Sequence, residues 1–288
     1  MSARLFPSEQ LTFATVRIEC RLADGKSSVG TGFFFLFPHG SSLNIPAIIT
    51  NNHVVKNSVS CHFRLTTRDS DGNPNYQDAI AVDLPLPESG WIKHPDPSVD
   101  LALFPIAPLL TQMQSQAKSP HFVPFAPGII PDAAALLELG AVEDVLMIGY
   151  PNGLWDSVNN RPIVRTGATA THPAIDYEGR REFMIDAACF PGSSGSPVVL
   201  LNQSSYQTRA GNIMMGQGRM LLLGVLYAGP MYTANGEIRV VDVPTQLGAV
   251  ALSAIPMNLG LVIKSSRIME FEPVFHRLAG ATPPVAGN

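Results

Sequence analysis

Charged side chains are scarce in this chain, at 15% of 288 residues against about 25% in an average globular protein. Cysteine is rarer still, at three residues, and tryptophan occurs twice. Each scarcity excludes something. Low charge with 45% hydrophobic residues excludes a disordered chain and suits many buried strands. A net charge of −4 gives nucleic acid or an anionic membrane no electrostatic reason to bind. The odd cysteine count means that Cys20, Cys61 and Cys189 cannot all pair within one chain. With no secretory signal visible near Met1, this favours reduced thiols and a cytoplasmic location. No apolar run approaches a membrane span, and no repeat points to a solenoid or propeller. No His/Cys pair has ligand spacing, so neither a metal nor another cofactor is expected.

What is abundant is turn chemistry. The 24 Gly and 25 Pro follow no period and punctuate short apolar or alternating segments, the signature of antiparallel strands. Such segments include Thr12–Cys20, Gly32–Phe37, Pro46–Thr50, Leu101–Pro105, Val145–Tyr150, Pro197–Leu201, Met220–Ala228 and Ile238–Val241. Helical patterns are few. Ala107–Lys118 and Pro131–Leu139 can each hold a short helix, and Ser265–Leu278 has helical spacing that Pro273 would strain or split. The stretch Ala107–Pro127, rich in Gln, Ser and Pro, marks a connector between two halves of similar size. That arrangement predicts an N-terminal unit at residues 1–120, a second unit at 121–264, and a terminal helix with its tail at 265–288.

Three local patterns carry chemistry. Phe190-Pro191-Gly192-Ser193-Ser194-Gly195-Ser196-Pro197 precedes an apolar strand. A nucleophilic serine needs such a tight loop, which exposes its hydroxyl and aims backbone N–H groups at a developing oxyanion. Taken alone it is as easily a plain Gly/Ser/Pro turn. Ile48-Ile49-Thr50-Asn51-Asn52-His53-Val54-Val55 ends a strand in polar residues and a histidine, and a lone histidine there is more often structural than catalytic. Asp96-Pro97-Ser98-Val99-Asp100 opens another apolar run, where a turn aspartate is the commoner case.

Together they are specific, because the order is His, Asp, Ser with a long gap before Ser. The chain resembles the trypsin-like serine peptidase superfamily, in the style of its HtrA/Deg-type and glutamyl-endopeptidase-like bacterial branches. Gly30-Thr31-Gly32-Phe33-Phe34, Thr50-Asn51-Asn52-His53-Val54-Val55, Asp100-Leu101-Ala102-Leu103, Ile148-Gly149-Tyr150-Pro151-Asn152-Gly153 and the Ser194 loop carry the likeness, which spans roughly Phe13 to Ile263. The resemblance implies an all-β fold of two six-stranded antiparallel barrels of the chymotrypsin type with a short C-terminal helix. It implies a catalytic triad of His53, Asp100 and Ser194, and an oxyanion hole from the N–H groups of Gly192 and Ser194 with Ser193 nearby. Ala188 stands at the base of the implied specificity pocket, and Tyr227, Ala228 and Gly229 form the strand that pairs with a polypeptide substrate. With Ala188 and Leu226 where relatives carry charged determinants, the expected P1 residue is small to medium and apolar. Departures matter too. Ser193 replaces the aspartate that receives a freed N-terminus in zymogens, so no activating cut is expected. Ala107–Lys118 reads as an insertion and a candidate gate for an activating protein partner. The alternative reading is a catalytically silent scaffold that keeps the peptidase fold for binding.

Overall fold

The computed structural model describes residues 5–39, 43–238 and 249–275. It is an all-β protein with two main sheets. The first contains β1 (Thr15–Leu22), β2 (Ser27–His39), β3 (Leu43–Thr50), β4 (Ser58–Arg68), β5 (Pro74–Leu84), β6 (Ile92–Lys93) and β7 (Ala102–Pro105). They run antiparallel in the order β5-β4-β1-β2-β3-β7-β6, so the two-residue β6 makes seven strands where six were expected. The second comprises β8 (Asp144–Gly149), β9 (Ile163–Thr169), β10 (Glu182–Asp186), β11 (Pro197–Asn202), β14 (Arg219–Ala228) and β17 (Leu259–Lys264), closed into a six-stranded barrel. Two ribbons complete the strands, β12 (Ser205–Gln207) with β13 (Ile213–Met215), and β15 (Met231–Ile238) with β16 (Ala249–Pro256). The expected strand Ile238–Val241 lies outside the described residues beyond Ile238.

Strand chemistry follows burial. β2 and β3 present Phe33, Phe35, Phe37, Ala47 and Ile49 to one face, and all five are buried. Their partners across that face include Ile148 of β8, Val199 of β11, Leu222 and Val225 of β14, and Ile263 of β17. One apolar layer therefore joins the two sheets. A second cluster fills the inside of the first sheet around Ile18, Phe63 and Trp91, and a third fills the barrel around Phe183, Val198 and Val262. Burying large side chains at about 25 cal/mol per Å² makes this joint layer a principal source of the fold's cohesion.

The helices are short. α1 (Pro7–Leu11) precedes β1, α2 (Asn52–Val55) follows β3, α3 (Ala107–Ser115) follows β7, and α4 (Ala133–Leu137) precedes the barrel. α3 buries Leu109 and Met113 in the core of the first sheet. The expected C-terminal helix begins as a 3-10 segment at Ser265–Phe271 and continues as an α-helical turn at 272–275. Pro273 falls in the first turn of that α-helical piece, where its missing N–H is tolerated. Ile268, Phe271 and Phe275 of this segment pack into the joint layer.

Candidate active site

Sheet register delivers the first two residues. β3 and β7 are antiparallel, with Thr50 opposite Ala102. Residues just past Thr50 therefore face residues just before Ala102. The chain leaves β3 through Asn51 into the single turn α2, which carries His53. Asn51 is fully buried, and its side-chain N–H donates to the Asp100 carbonyl at 2.7 Å. Asp100 in turn uses both carboxylate oxygens on His53. Oδ1 accepts the His53 backbone N–H at 2.9 Å, and Oδ2 is paired with Nδ1 of the ring. A carboxylate engaged at Nδ1 holds the imidazole with Nε2 free as an acceptor.

The third residue comes from the barrel. Leu226 of β14 brackets the turn into β11: its carbonyl accepts the Gly195 N–H at 2.8 Å, and its N–H donates to Ser196 at 2.9 Å. Gly192 and Gly195 have φ of +85° and +88°, which side-chain-bearing residues rarely adopt. At Gly195 there is also no room, since an added Cβ would lie 1.9 Å from the Thr31 carbonyl oxygen. The Ser193 N–H donates to the Phe190 carbonyl at 3.0 Å, closing a turn with Gly192 at its positive-φ corner. The Pro191 carbonyl accepts the Asn152 N–H at 2.5 Å. Because a trans peptide points its C=O and N–H in opposite directions, the Gly192 N–H is turned away from Asn152. Among the described residues, neither the Gly192 N–H nor the Ser194 N–H has a protein acceptor. Ser193 departs from the expected trio: its N–H is committed to Phe190, and its buried hydroxyl has no partner.

Thr31 ties the two halves together. Its N–H donates to the Ser194 carbonyl at 2.8 Å, and its carbonyl accepts from Thr50 Oγ1 at 2.7 Å. Its hydroxyl donates to the Gly192 carbonyl at 3.0 Å and accepts from Tyr150 N–H at 3.1 Å and Ser196 Oγ at 3.3 Å. One donor and two lone pairs are thus all used. The serine loop and the strand end that launches His53 hang on the same buried threonine. Sequence reading quoted Thr31 only as part of a strand motif. Its partners lie up to 165 residues away, and no local signal marks them.

No hydrogen bond joins Ser194 Oγ to the His53 ring among the described residues. Such contacts are often long without substrate and tighten when it binds. The residues expected around a substrate converge as well. Gly229 is exposed, follows β14 and has no hydrogen bond of its own among the described residues. A Cβ added there would stand 3.7 Å from Cys189 Cβ, so the segment holding Ala188 adjoins the end of the strand holding Tyr227 and Ala228. Burial, and then the hydrogen bond its hydroxyl donates to Glu182 at 2.9 Å, pushes the Tyr227 pKa up to about 12. Burial also pushes the Cys189 thiol up to about 11, so it is an inert wall residue. A cavity of about 640 Å³, lined in part by Glu143, His172, Tyr206 and Arg219, includes none of these groups.

The loops holding Ser194 are bonded by Thr31, Asn152, Phe190 and Leu226, and by nothing from 107–118. α3, the candidate gate, buries Leu109 and Met113 in the core of the first sheet. No helix of the described residues is long and apolar enough to cross a membrane.

A closed barrel and a second antiparallel sheet, joined through one apolar layer, define a chymotrypsin-like fold. The chain belongs to the trypsin-like peptidase domain family, whose profile matches residues 30–204. No curated protein matches the sequence. Among solved structures the chain is similar to an HtrA-type protease, AlgW, bound to a tripeptide, at 16% identity over 94% of this chain and a TM-score of 0.47. It spans 62% of that protein's length. It is also similar to the inactive form of a serine-to-alanine mutant of Rv3671c from M. tuberculosis H37Rv, at 18% identity over 96% of this chain and 91% of that one, with a TM-score of 0.40. HL collagenase matches at 18% identity over 94% of this chain and 95% of that one, with a TM-score of 0.44.

Proposed function

We propose that the protein is a serine endopeptidase, with Ser194 as nucleophile, His53 as general base and then acid, and Asp100 as the group that orients the imidazole. The observation that carries this reading is the double use of Asp100, whose two oxygens fix both the backbone and the ring of His53. In the proposed cycle the Ser194 hydroxyl adds to the scissile carbonyl and passes its proton to His53 Nε2. The free N–H groups of Gly192 and Ser194 supply the two donors an oxyanion needs. His53 then protonates the leaving amine, and water repeats the steps in reverse on the acyl-enzyme. An extended polypeptide would pair with the open backbone of Gly229, and the Ala188 pocket would favour Val, Ala, Leu or Met at P1. The division into a His/Asp unit at 1–120 and a Ser unit at 121–264 belongs to the same proposal.

A fluorophosphonate probe tests it directly, because the probe reacts only with an activated serine. The expected result is one label per chain, mapped to Ser194 and absent from Ser194→Ala. The alternatives are a catalytically silent scaffold and an enzyme gated by a partner. Labelling that appears only after cell extract is added would select gating, and no labelling under either condition would select the silent scaffold.

A further inference from the structure

Cys20 of β1 and Cys61 of β4 are direct cross-strand partners, 41 residues apart in sequence. Directly opposed residues of an antiparallel pair have Cα atoms about 4.5–5.5 Å apart. That falls inside the range of about 4.4–6.8 Å that a disulfide spans. The two side chains lie on the same face, are fully buried, and bring their sulfurs to 2.7 Å. Sequence counting alone had set all three thiols aside as reduced; only the strand register reveals the pair.

We propose that Cys20 and Cys61 are a redox-active dithiol, closed into a disulfide across β1 and β4 by a small peroxide. The surroundings assign the roles. The two thiols share a hydrogen bond in which either can donate, and that bond with burial pushes Cys20 well up. The same bond, helped by Trp91 and Ser58, pushes Cys61 down. The Trp91 indole N–H is buried and has no hydrogen-bond partner. In the proposed reaction Cys61 is taken as the attacking sulfur. It points into the core of the first sheet, one strand layer beneath an outer-face cavity of about 490 Å³ lined by Glu19, Arg21, Ser60 and His62.

The chemistry balances in two steps. The Cys61 thiolate attacks one oxygen of hydrogen peroxide, an S–O bond forms, and the O–O bond breaks. The leaving hydroxide takes up the proton shed by Cys61 and becomes water. The Cys20 sulfur then attacks the sulfur of the Cys61 sulfenic acid, the S–S bond forms, and the S–O bond breaks. The departing hydroxide takes the Cys20 proton as a second water. Two thiols lose two electrons and one peroxide gains them. Cys189, with its thiol pushed up to about 11 and no sulfur partner, is left out.

The test uses the full chain treated with hydrogen peroxide, denatured, alkylated and weighed intact. The expected product carries one alkyl group, on Cys189, has lost the mass of two hydrogens, and yields a linked peptide pair containing Cys20 and Cys61. Dithiothreitol should restore three alkylated thiols, and the bridged form should melt higher than the reduced form, because the link closes a long loop in the unfolded chain. In Cys20→Ser the attack should stop at a dimedone-reactive sulfenic acid on Cys61, and Cys61→Ala should trap none. Three alkylated thiols after peroxide would overturn the proposal, as would a bridge between two copies or Cys61 driven to sulfinic acid with Cys20 untouched. The wild-type mass measurement decides even if a variant fails to fold.

Discussion

The first sheet contains two histidine–aspartate pairs that look alike at the level of one bond. His53 is bound through Nδ1 to Asp100, and His62 through Nδ1 to Asp83 at 2.7 Å. His62 and Asp83 are simple cross-strand neighbours on β4 and β5, and the Asp83 side chain is 83% exposed. Asp100 is 25% exposed, also accepts the His53 backbone N–H, and is anchored through its carbonyl by buried Asn51. Thr31 then links the strand end leading to His53 to the loop of Ser194, and nothing comparable stands near His62. A hydrogen-bonded imidazole is common. What distinguishes the candidate site is that the pair is held in place beside a shaped loop with two unused N–H donors.

The sharpest way to break that contrast is Asp100→Asn. If the pair works as proposed, the substitution keeps the shape, puts a donor where an acceptor is needed, and selects the wrong imidazole tautomer. A loss of about 10⁴-fold in kcat is expected. Ser194→Ala and His53→Ala should each cost at least as much, and the Ser194→Ala/His53→Ala double variant little more, since the residues act as a unit. Rates on one peptide substrate for the single and double variants decide it. Multiplicative losses would show that the groups act separately.

Thr31→Val asks how much depends on the bracing rather than on the reacting groups. It removes the hydroxyl that serves Gly192, Tyr150 and Ser196 while keeping the buried volume. A buried polar group left unpaired costs about 1–3 kcal/mol of stability. Displacing the oxyanion donors by a fraction of an ångström should lower kcat by about 10²-fold with little change in KM. Thr31→Ser should restore most of both. Full activity in Thr31→Val would show that the loop holds itself.

These residues also show what a sequence can and cannot convey. His53, Asp100 and Ser194 could be picked out because each sits in a short stretch whose turn and strand chemistry is local. Most apolar strands were readable for the same reason. β5 is largely exposed and buries only Val82, which hides it, whereas β4 does alternate, with Cys61, Phe63 and Leu65 buried between polar residues, and was readable but not singled out. Thr31 and the Cys20–Cys61 pair depend on register between strands distant in sequence, which no local pattern encodes. The C-terminal segment reads as a helix that Pro273 strains or splits, and it is split: it starts as a 3-10 segment and places Pro273 where an N–H is not needed.

A smaller effect is expected four residues before Asp100. Asp96 lies in the same loop but serves the joint between the loop and the C-terminal segment. Ser98, first, and then the Arg267 guanidinium at 2.6 Å hold its carboxyl well below the usual carboxylate range. A depressed folded pKa contributes stability above the unfolded value of about 3.9 and loses it as pH falls through the folded value. Asp96→Asn should therefore melt lower than the parent at neutral pH, with the gap closing only below about pH 3.9. Activity at neutral pH should stay within about twofold, because the Asp96 carboxylate bonds Ser98 and Arg267 and none of His53, Asp100 and Ser194. Melting curves across acidic pH check it, and a gap unchanged at low pH would show that the ion pair is not what Asp96 contributes.

The smallest expected effect falls on the lookalike pair. Asp83→Asn preserves the side-chain shape opposite His62 and removes only the charge. Exposed ion pairs of this kind contribute about 0–1 kcal/mol, because water solvates both partners and salt screens them. The variant should melt within about 2 °C of the parent, and its kcat/KM should be unchanged within error. Raising the ionic strength should erase even that difference. This near-null result is what gives Asp100→Asn its meaning, since both substitutions make the same chemical change opposite the same ring nitrogen. If Asp83→Asn lowered activity comparably, a general loss of sheet integrity would explain both, and the role proposed for Asp100 would fail. If only Asp100→Asn does so, the cause is the position of the pair beside the Ser194 loop.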